Sequence, residues 1–352
     1  MFQLFAEMFT SRDFPSSHLK TDTAHSRSPT WVTPFWGRLR QRLFRISPEE
    51  TTFARRKFRG GDVEVQQHLE QIGRTVLQGY HAAIADDNPE TLVPQLNAVE
   101  AEWRGFAFEG AAMGLALLDY RMPWKQNRVE VFLAGGGTDH AYMVHMGIGW
   151  VMARLHQPIE QSIARLDPLL GWLAVDGYGF HEGYFYWQRY IKKQVIPSGL
   201  SDYALRVFDQ GLGRSLWFVD SADVTCLPFT LYRFHPVRRP DLWSGIGLAC
   251  AYAGGVDRPA LESLRIASAD YWPQLAQGVA FAAKARARAG NPAVHTELAC
   301  EVLCGMSAEA AAEMTDMALK NLQSDGALPA YEVWRQRIQC QFAESEVNAW
   351  AS

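Results

Sequence analysis

With 352 residues, 48% of them hydrophobic and 20% charged, the chain has the composition of a large globular protein and not of a disordered one. A formal net charge of −4 argues against a dedicated nucleic-acid binder, which carries a basic bias. Twelve Trp, nineteen Phe and twelve Tyr make a heavy aromatic load, suited to a large core, an apolar ligand cavity, or both.

Residues 1–30 mix Ser, Thr, Pro, His and charges without periodicity and read as a disordered extension. The start has neither a basic leader nor a long apolar stretch, so no signal peptide is expected. Scattered cysteines (Cys226, Cys250, Cys300, Cys304 and Cys340) fit a reducing compartment, and no apolar run reaches the roughly 18 residues of a membrane span. A soluble cytoplasmic protein is therefore expected. Residues 31–62 form a basic segment in which Trp36, Leu39, Leu43 and Phe44 interleave with Arg38, Arg40, Arg42 and Arg45, as on a short amphipathic helix. This helix is expected to dock its apolar side on the body; weak peripheral contact with an anionic membrane is the other reading.

Residues 63–345 read as one all-α domain. Leu69, Ile72, Val76 and Leu77 give 63–84 helical spacing. Asn88-Pro89, Asp167-Pro168 and Asn291-Pro292 signal helix starts, and Asp257 is a further candidate cap. Val129–Leu133 is the best candidate strand. A Gly-apolar-small triplet recurs at Gly105, Gly147, Gly177, Gly211, Gly245 and Gly278, at intervals of 42, 30, 34, 34 and 33 residues. Glycine costs about 1 kcal/mol in a helix interior, so its repetition there implies close approach of helix backbones. The spacing predicts stacked helical hairpins with a repeat of about 34 residues, an α-solenoid or a closed helical array.

The familiar catalytic fingerprints are absent. Gly135-Gly136-Gly137-Thr138 lacks the Lys-Ser/Thr of a phosphate loop and reads as a turn. His181-Glu182 is followed by Phe185 where a zinc protease needs its second His. In Asp86-Asp87-Asn88-Pro89-Glu90 the proline breaks the helix on which a diphosphate-binding magnesium site would depend, so these acids read as turn residues. No metal site and no cofactor is assigned. The densest polar constellation is His140, His145, Asp176, His181, Glu182 and Asp209, all close to triplets. If neighbouring units stack in register, these groups converge as a proton relay or as metal ligands. Alternatively, they hydrogen-bond helix ends to one another.

Four stretches carry a family resemblance: Arg104–Gly114, Asp176–Gly183, Phe208–Arg214 and Asp241–Gly247. They resemble the bacterial family called domain of unknown function 1702, and the likeness extends from about Phe44 to Arg337. Members often occur near enediyne polyketide synthases, which implies a role in handling or maturing a polyketide polyene. The resemblance brings no catalytic residues with it.

The leading expectation is an accessory protein of specialised biosynthesis that binds a long apolar polyene or polyketide intermediate. Phe106, Phe108, Trp150, Tyr178, Phe180, Tyr184, Phe185 and Trp217, with Phe218, are the candidate walls of a dry tunnel. In the enzyme alternative His181, Glu182, His145, Asp209 and His140 supply acid–base or metal-assisted chemistry on that ligand. A third reading is a scaffold whose concave face holds another biosynthetic protein. An apolar tunnel favours a carrier, ionisable groups at one point of it an enzyme, and a filled core beside an open groove a scaffold.

Overall fold

The computed structural model describes residues 35–122, 127–322, 326 and 328–351. The disordered extension expected over residues 1–30 lies outside them. Among the described residues every regular element is helical. The longer helices are α1 (Val63–Ala85), α2 (Ala101–Arg121), α3 (Ala141–Arg154), α4 (Trp172–Phe185) and α5 (Asp202–Val219). They continue with α6 (Arg239–Ala253), α7 (Trp272–Ala289), α8 (Ala308–Leu319) and α9 (Ala330–Ala351), and shorter helices connect them.

Local chemistry accounts for several boundaries. Asp62 caps α1 through Glu64 N, Asn88 caps Pro89–Asn97 through Glu90 N, and Asp257 caps Arg258–Ala267 through Ala260 N. Asp167 instead caps a turn, accepting from the amides of Leu169 and Leu170, and α4 begins only at Trp172. Asn291 caps nothing: the helix after it starts at Val294, and its buried amide has no hydrogen-bond partner of good geometry. The candidate strand Val129–Leu133 is part of a helix, Arg128–Ala134. Its first amides, on Arg128 and Val129, donate to the Asp119 carboxylate at 3.1 Å each, a cap supplied from α2 that local pattern does not reveal.

Consecutive long helices pack side by side from α1 to α8. They run in the same direction. His68 and Ala83 of α1 meet Trp103 and Gly114 of α2, while Gln210 and Trp217 of α5 meet Ser244 inside α6 and Gly254 just past its C-terminal end.

The glycine triplets lie at these joints. A Cβ on Gly177 would sit 2.1 Å from Met146 O of the preceding helix, and one on Gly179 would sit 2.1 Å from Phe208 O of the following helix. Gly211 and Gly213, at 1.9 and 2.1 Å, repeat this two-sided clasp on Asp176 O and Leu242 O. Gly245 and Gly247, at 1.9 and 2.0 Å, do so on Gln210 O and Leu275 O. No side chain fits between backbones this close, so the joints require glycine. The Gly105 copy differs, since its neighbour is the Tyr252 hydroxyl and α2 meets α1 through Gly110 and Gly79.

The residue before each of the last four first glycines, Gly177, Gly211, Gly245 and Gly278, is polar and forms a rung of a buried ladder. Gln210 Nε2 donates to Asp176 Oδ2 at 2.7 Å, and Ser244 Oγ lies 3.3 Å from Gln210 Oε1 and donates to Gln277 Oε1 at 2.9 Å. Helix α9 packs against this ladder from within, where Tyr331 OH accepts from Gln210 at 3.1 Å. Arg335, fully buried, donates to Asp241 at 2.7 Å and to Glu332 at 3.1 Å, and Arg206 closes the cluster on the same two acids. Trp334, Ile338 and Phe342 fill the remaining space near the N-terminal ends of α3, α6 and α7. The row also curls, for His68 Nε2 lies 2.6 Å from Ala253 O and Arg286 Nη1 donates to Glu102 O at 3.2 Å.

The basic segment forms the helix Phe35–Phe44 and docks differently from expectation. Trp36, Leu39 and Leu43 are 67%, 40% and 55% exposed. Attachment runs through the adjacent stripe: Arg40 pairs with Asp87 at 2.9 Å, and Tyr80 OH donates to Phe44 O at 2.7 Å. The ion pair and the backbone bond orient the helix, so that only Phe44 of its apolar stripe packs against the body while Trp36, Leu39 and Leu43 stay exposed.

Candidate functional site

Toward the C-terminal ends of α1–α6 the inner side is not filled. A cavity of about 80 Å³ lies there, within a wider concave space of about 1030 Å³ that runs out into solvent. It is a narrow slot. Its walls are Val76, Leu77 and Tyr80 of α1, Phe106, Met113 and Leu117 of α2, Trp150 of α3, Phe180, Tyr184 and Phe185 of α4, Phe218 of α5 and Tyr252 of α6. Half-buried Ile46, Glu50, Arg154 and Phe185 mark the mouth. The strap from Ile46 to Arg56 crosses it, with Thr51 against Gly73 and the Arg56 guanidinium 5.0 Å from the Phe185 ring centre.

The aromatic wall is continuous. Trp150 stacks on Phe180 at 5.2 Å, Phe180 on Tyr184 at 5.7 Å, and Phe218 meets Phe180 edge-on at 5.4 Å. Along a unit these side chains stand three and seven places after the first glycine, one and two turns beyond the ladder rung, on one helix face.

Polar groups enter at two places. At the floor, Glu109 is 3% exposed, and the indole Nε1–H of Trp150 beside it is the group that donates to its carboxyl. Burial pushes the Glu109 carboxyl up to about 7, with Arg214 and Trp150 lowering it and Asp176 raising it. Arg214 is ion-paired to the buried Asp176 and lies 4.8 Å from the Phe180 ring centre. Higher on the wall, His181 Nδ1–H donates to Glu182 Oε1 at 3.0 Å, which leaves Nε2 as the lone-pair nitrogen of that tautomer. Burial lowers the His181 pKa, and Glu182 pulls it back toward the charged form.

Of the residues singled out from sequence, the cavity brings together Phe106, Trp150, Phe180, His181, Tyr184 and Phe185, with Glu182 directly behind His181. The others lie outside the lining. Phe108 is sandwiched between Phe132 and His140, the latter ring at 3.8 Å, and burial drives His140 down to about 4. His145 donates from Nδ1 to Ala141 O at 2.7 Å. Asp209 accepts from Arg238 Nε at 2.8 Å; burial pushes its pKa up to about 6 against the pull of Arg238. Tyr178 packs near Phe208, and the Trp217 indole donates to Gly254 O at 2.9 Å. Among the described residues no group of three or more His, Cys, Asp or Glu side chains is placed to hold a metal ion, and no helix is long and apolar enough to cross a membrane.

Glu109 and Arg214 escaped the sequence reading. The signal was present: Glu109 is the lone charge between Gly105 and Leu118, and Arg214 is the lone charge between Gln210 and Val219. A single ionisable residue inside an otherwise apolar helix has to be accommodated by the interior.

Comparison with known proteins gives one family. The family described as "Protein of unknown function (DUF1702)" matches residues 35–342. No curated protein and no solved structure matches the chain.

Proposed function

The chain belongs to the DUF1702 family, and we propose that it binds a long, narrow, apolar molecule in the slot between α1 and α6. A polyene or polyketide intermediate of specialised biosynthesis, of the enediyne type, is the ligand class that suits it. The observation that carries this reading is the slot itself, a curved sheet of stacked rings around a space too thin for a bulky ligand. Flat rings pack well on conjugated chains, and a dry aromatic channel favours them over water. The inner side of the row, where a scaffold would hold a protein partner, is taken up by α9 and by this cavity.

The test is mass spectrometry of small molecules extracted from the purified protein, wild type beside Ala249→Trp, which fills the slot from α6. An elongated apolar molecule in the wild type, missing from the variant, supports the reading. Equal recovery from both proteins, or none from either together with no uptake of a neutral fluorescent probe, overturns it.

An enzyme acting on the same ligand is the second reading, and the His181–Glu182 pair favours it. A histidine at a cavity wall, with its Nδ1–H fixed by a carboxylate, presents a general base at Nε2. Under this reading His181→Ala keeps ligand uptake and loses product in the native pathway; normal product from the folded variant removes it.

A further inference from the structure

The rim of the slot carries features that neither the walls nor the packing of the helices uses. We propose that the helix Phe35–Phe44 and the segment from Tyr186 to Lys193 form a docking surface for an anionic lipid bilayer, seating the protein with the mouth of the slot toward the membrane. This surface goes beyond the ligand-binding reading, because it is tested on protein that holds no ligand.

Both segments border the mouth. The helix Phe35–Phe44 ends just before the mouth residue Ile46, leads into the strap, and is tied to the cavity wall by Tyr80 OH on Phe44 O. On the far side Tyr186 follows the mouth residue Phe185, and the Trp187 indole donates to Arg56 O at the other end of the strap. Apolar side chains on both flanks face out. Trp36, Leu39 and Leu43 stand at i, i+3 and i+7 on one exposed face, and Tyr186 is 52% exposed. An exposed apolar stripe of this kind marks a surface made for contact.

Charge selects the partner. Arg38, Arg42 and Arg45 form an exposed row beside the stripe, and Arg189, Lys192 and Lys193 are exposed on the far flank. Between Phe35 and Arg59 eight basic residues stand against two acidic ones, and between Phe185 and Val195 three stand against none, in a chain whose net charge is −4. An acidic molecule with a basic rim is drawn to an anionic surface mouth first. Leucines on one exposed edge of a helix and arginines on the next suit a lipid interface, where the leucines enter the acyl boundary and the long basic stems reach the phosphates. A single short helix binds only marginally, and a bilayer, being continuous, meets both flanks at once. Among the described residues no helix can cross a membrane, so the contact is peripheral.

The experiment is co-sedimentation of the full chain with vesicles of phosphatidylserine and phosphatidylcholine in equal parts, beside vesicles of phosphatidylcholine alone. In low salt about tenfold or more preference for the anionic vesicles is expected, and high salt should abolish it. Lys192→Glu with Lys193→Glu, and separately Leu39→Glu with Leu43→Glu, should each weaken vesicle binding about fivefold or more. All four side chains are exposed, so melting curves at the wild-type position confirm that both variants are folded. Loss in both pairs puts both flanks on the membrane and the mouth between them. Equal binding to the two vesicle types, or wild-type binding by the lysine variant, overturns the docking surface. A wild-type dimer that Leu39→Glu with Leu43→Glu dissociates also overturns it, in favour of a second copy covering the stripe.

Discussion

The inner face of the helical row is built twice from the same repeating positions, with opposite results. Near the N-terminal ends of α5–α7, α9 fills the space and brings its own polar partners: Arg335 satisfies Asp241 and Glu332, and Tyr331 receives Gln210. Near the C-terminal ends of α1–α6 the same face carries rings around an open slot, and Glu109 has no ion pair there, only the Trp150 indole N–H. A buried charge in the filled half is part of the protein's own arithmetic. In the open half Glu109 is met by an uncharged donor and by empty space, and this contrast separates a filled core from a cavity.

The comparison breaks most visibly at Arg335. Replacing it by Ala takes away the fully buried partner of Asp241 and Glu332 and leaves them only the half-buried Arg206, and a loss of about 3–5 kcal/mol is expected by chemical denaturation. A similar change at Arg214 strands only Asp176, which keeps its bond to Gln210, so a smaller loss there would sharpen the contrast.

Glu109→Gln acts in the opposite direction. The Glu109 carboxyl titrates at about 7 in the fold against 4.5 ordinarily, so its favourable contribution is complete below 4.5 and is lost as pH rises through 7. The variant is expected to match wild type near pH 5 and to exceed it by on the order of 3 kcal/mol at pH 8, read from melting curves across that range. A pH-independent difference would contradict a buried acid whose pKa is raised by desolvation.

The joints between helices come next. Gly179→Leu and Gly247→Leu each force a side chain into a carbonyl oxygen about 2 Å from where a Cβ would sit. A loss of about 1–3 kcal/mol or more is expected in both, whichever half they border. Unchanged melting temperatures would remove glycine clasps as the cause of the close packing.

The smallest effect is expected at the exposed stripe. Leu39→Glu with Leu43→Glu should leave stability within about 0.5 kcal/mol, since neither side chain is buried. With Arg38, Arg42 and Arg45 exposed beside the stripe, the wild type should sediment weakly with anionic vesicles in low salt, and the double variant should not. Equal sedimentation of the two proteins would show that the stripe makes no membrane contact.

Much of this was legible beforehand. Helical spacing located α1, Asn88 and Asp257 cap where their residue types suggest, and the glycine intervals mark the joints. What failed depended on distant partners. The run Val129–Leu133 has strand-like residues, and the cap that makes it helical is Asp119. His145 and Asp209 sit two places before a first glycine and His181 four after it; six residues of helix turn them to different faces, so stacking units in register cannot bring them together. Arg40 pairs across 47 residues with Asp87, and that pairing decides which side of the first helix faces out.

The clasps also bear on how a molecule gets in. Backbones held at the distance of a missing Cβ have no side chains between them to rotate aside, so the walls from α3 to α7 cannot part by rotamer changes. The strap from Ile46 to Arg56 is tied down differently, by Ile46 N on His81 at 3.2 Å, by the Trp187 indole on Arg56 O at 3.1 Å, and by Phe58 packed edge-on against Tyr184. These are contacts that thermal motion opens one at a time. On the ligand-binding reading proposed above, admission and release therefore fall to a short span of chain at the rim, while the frame around the cavity keeps its dimensions.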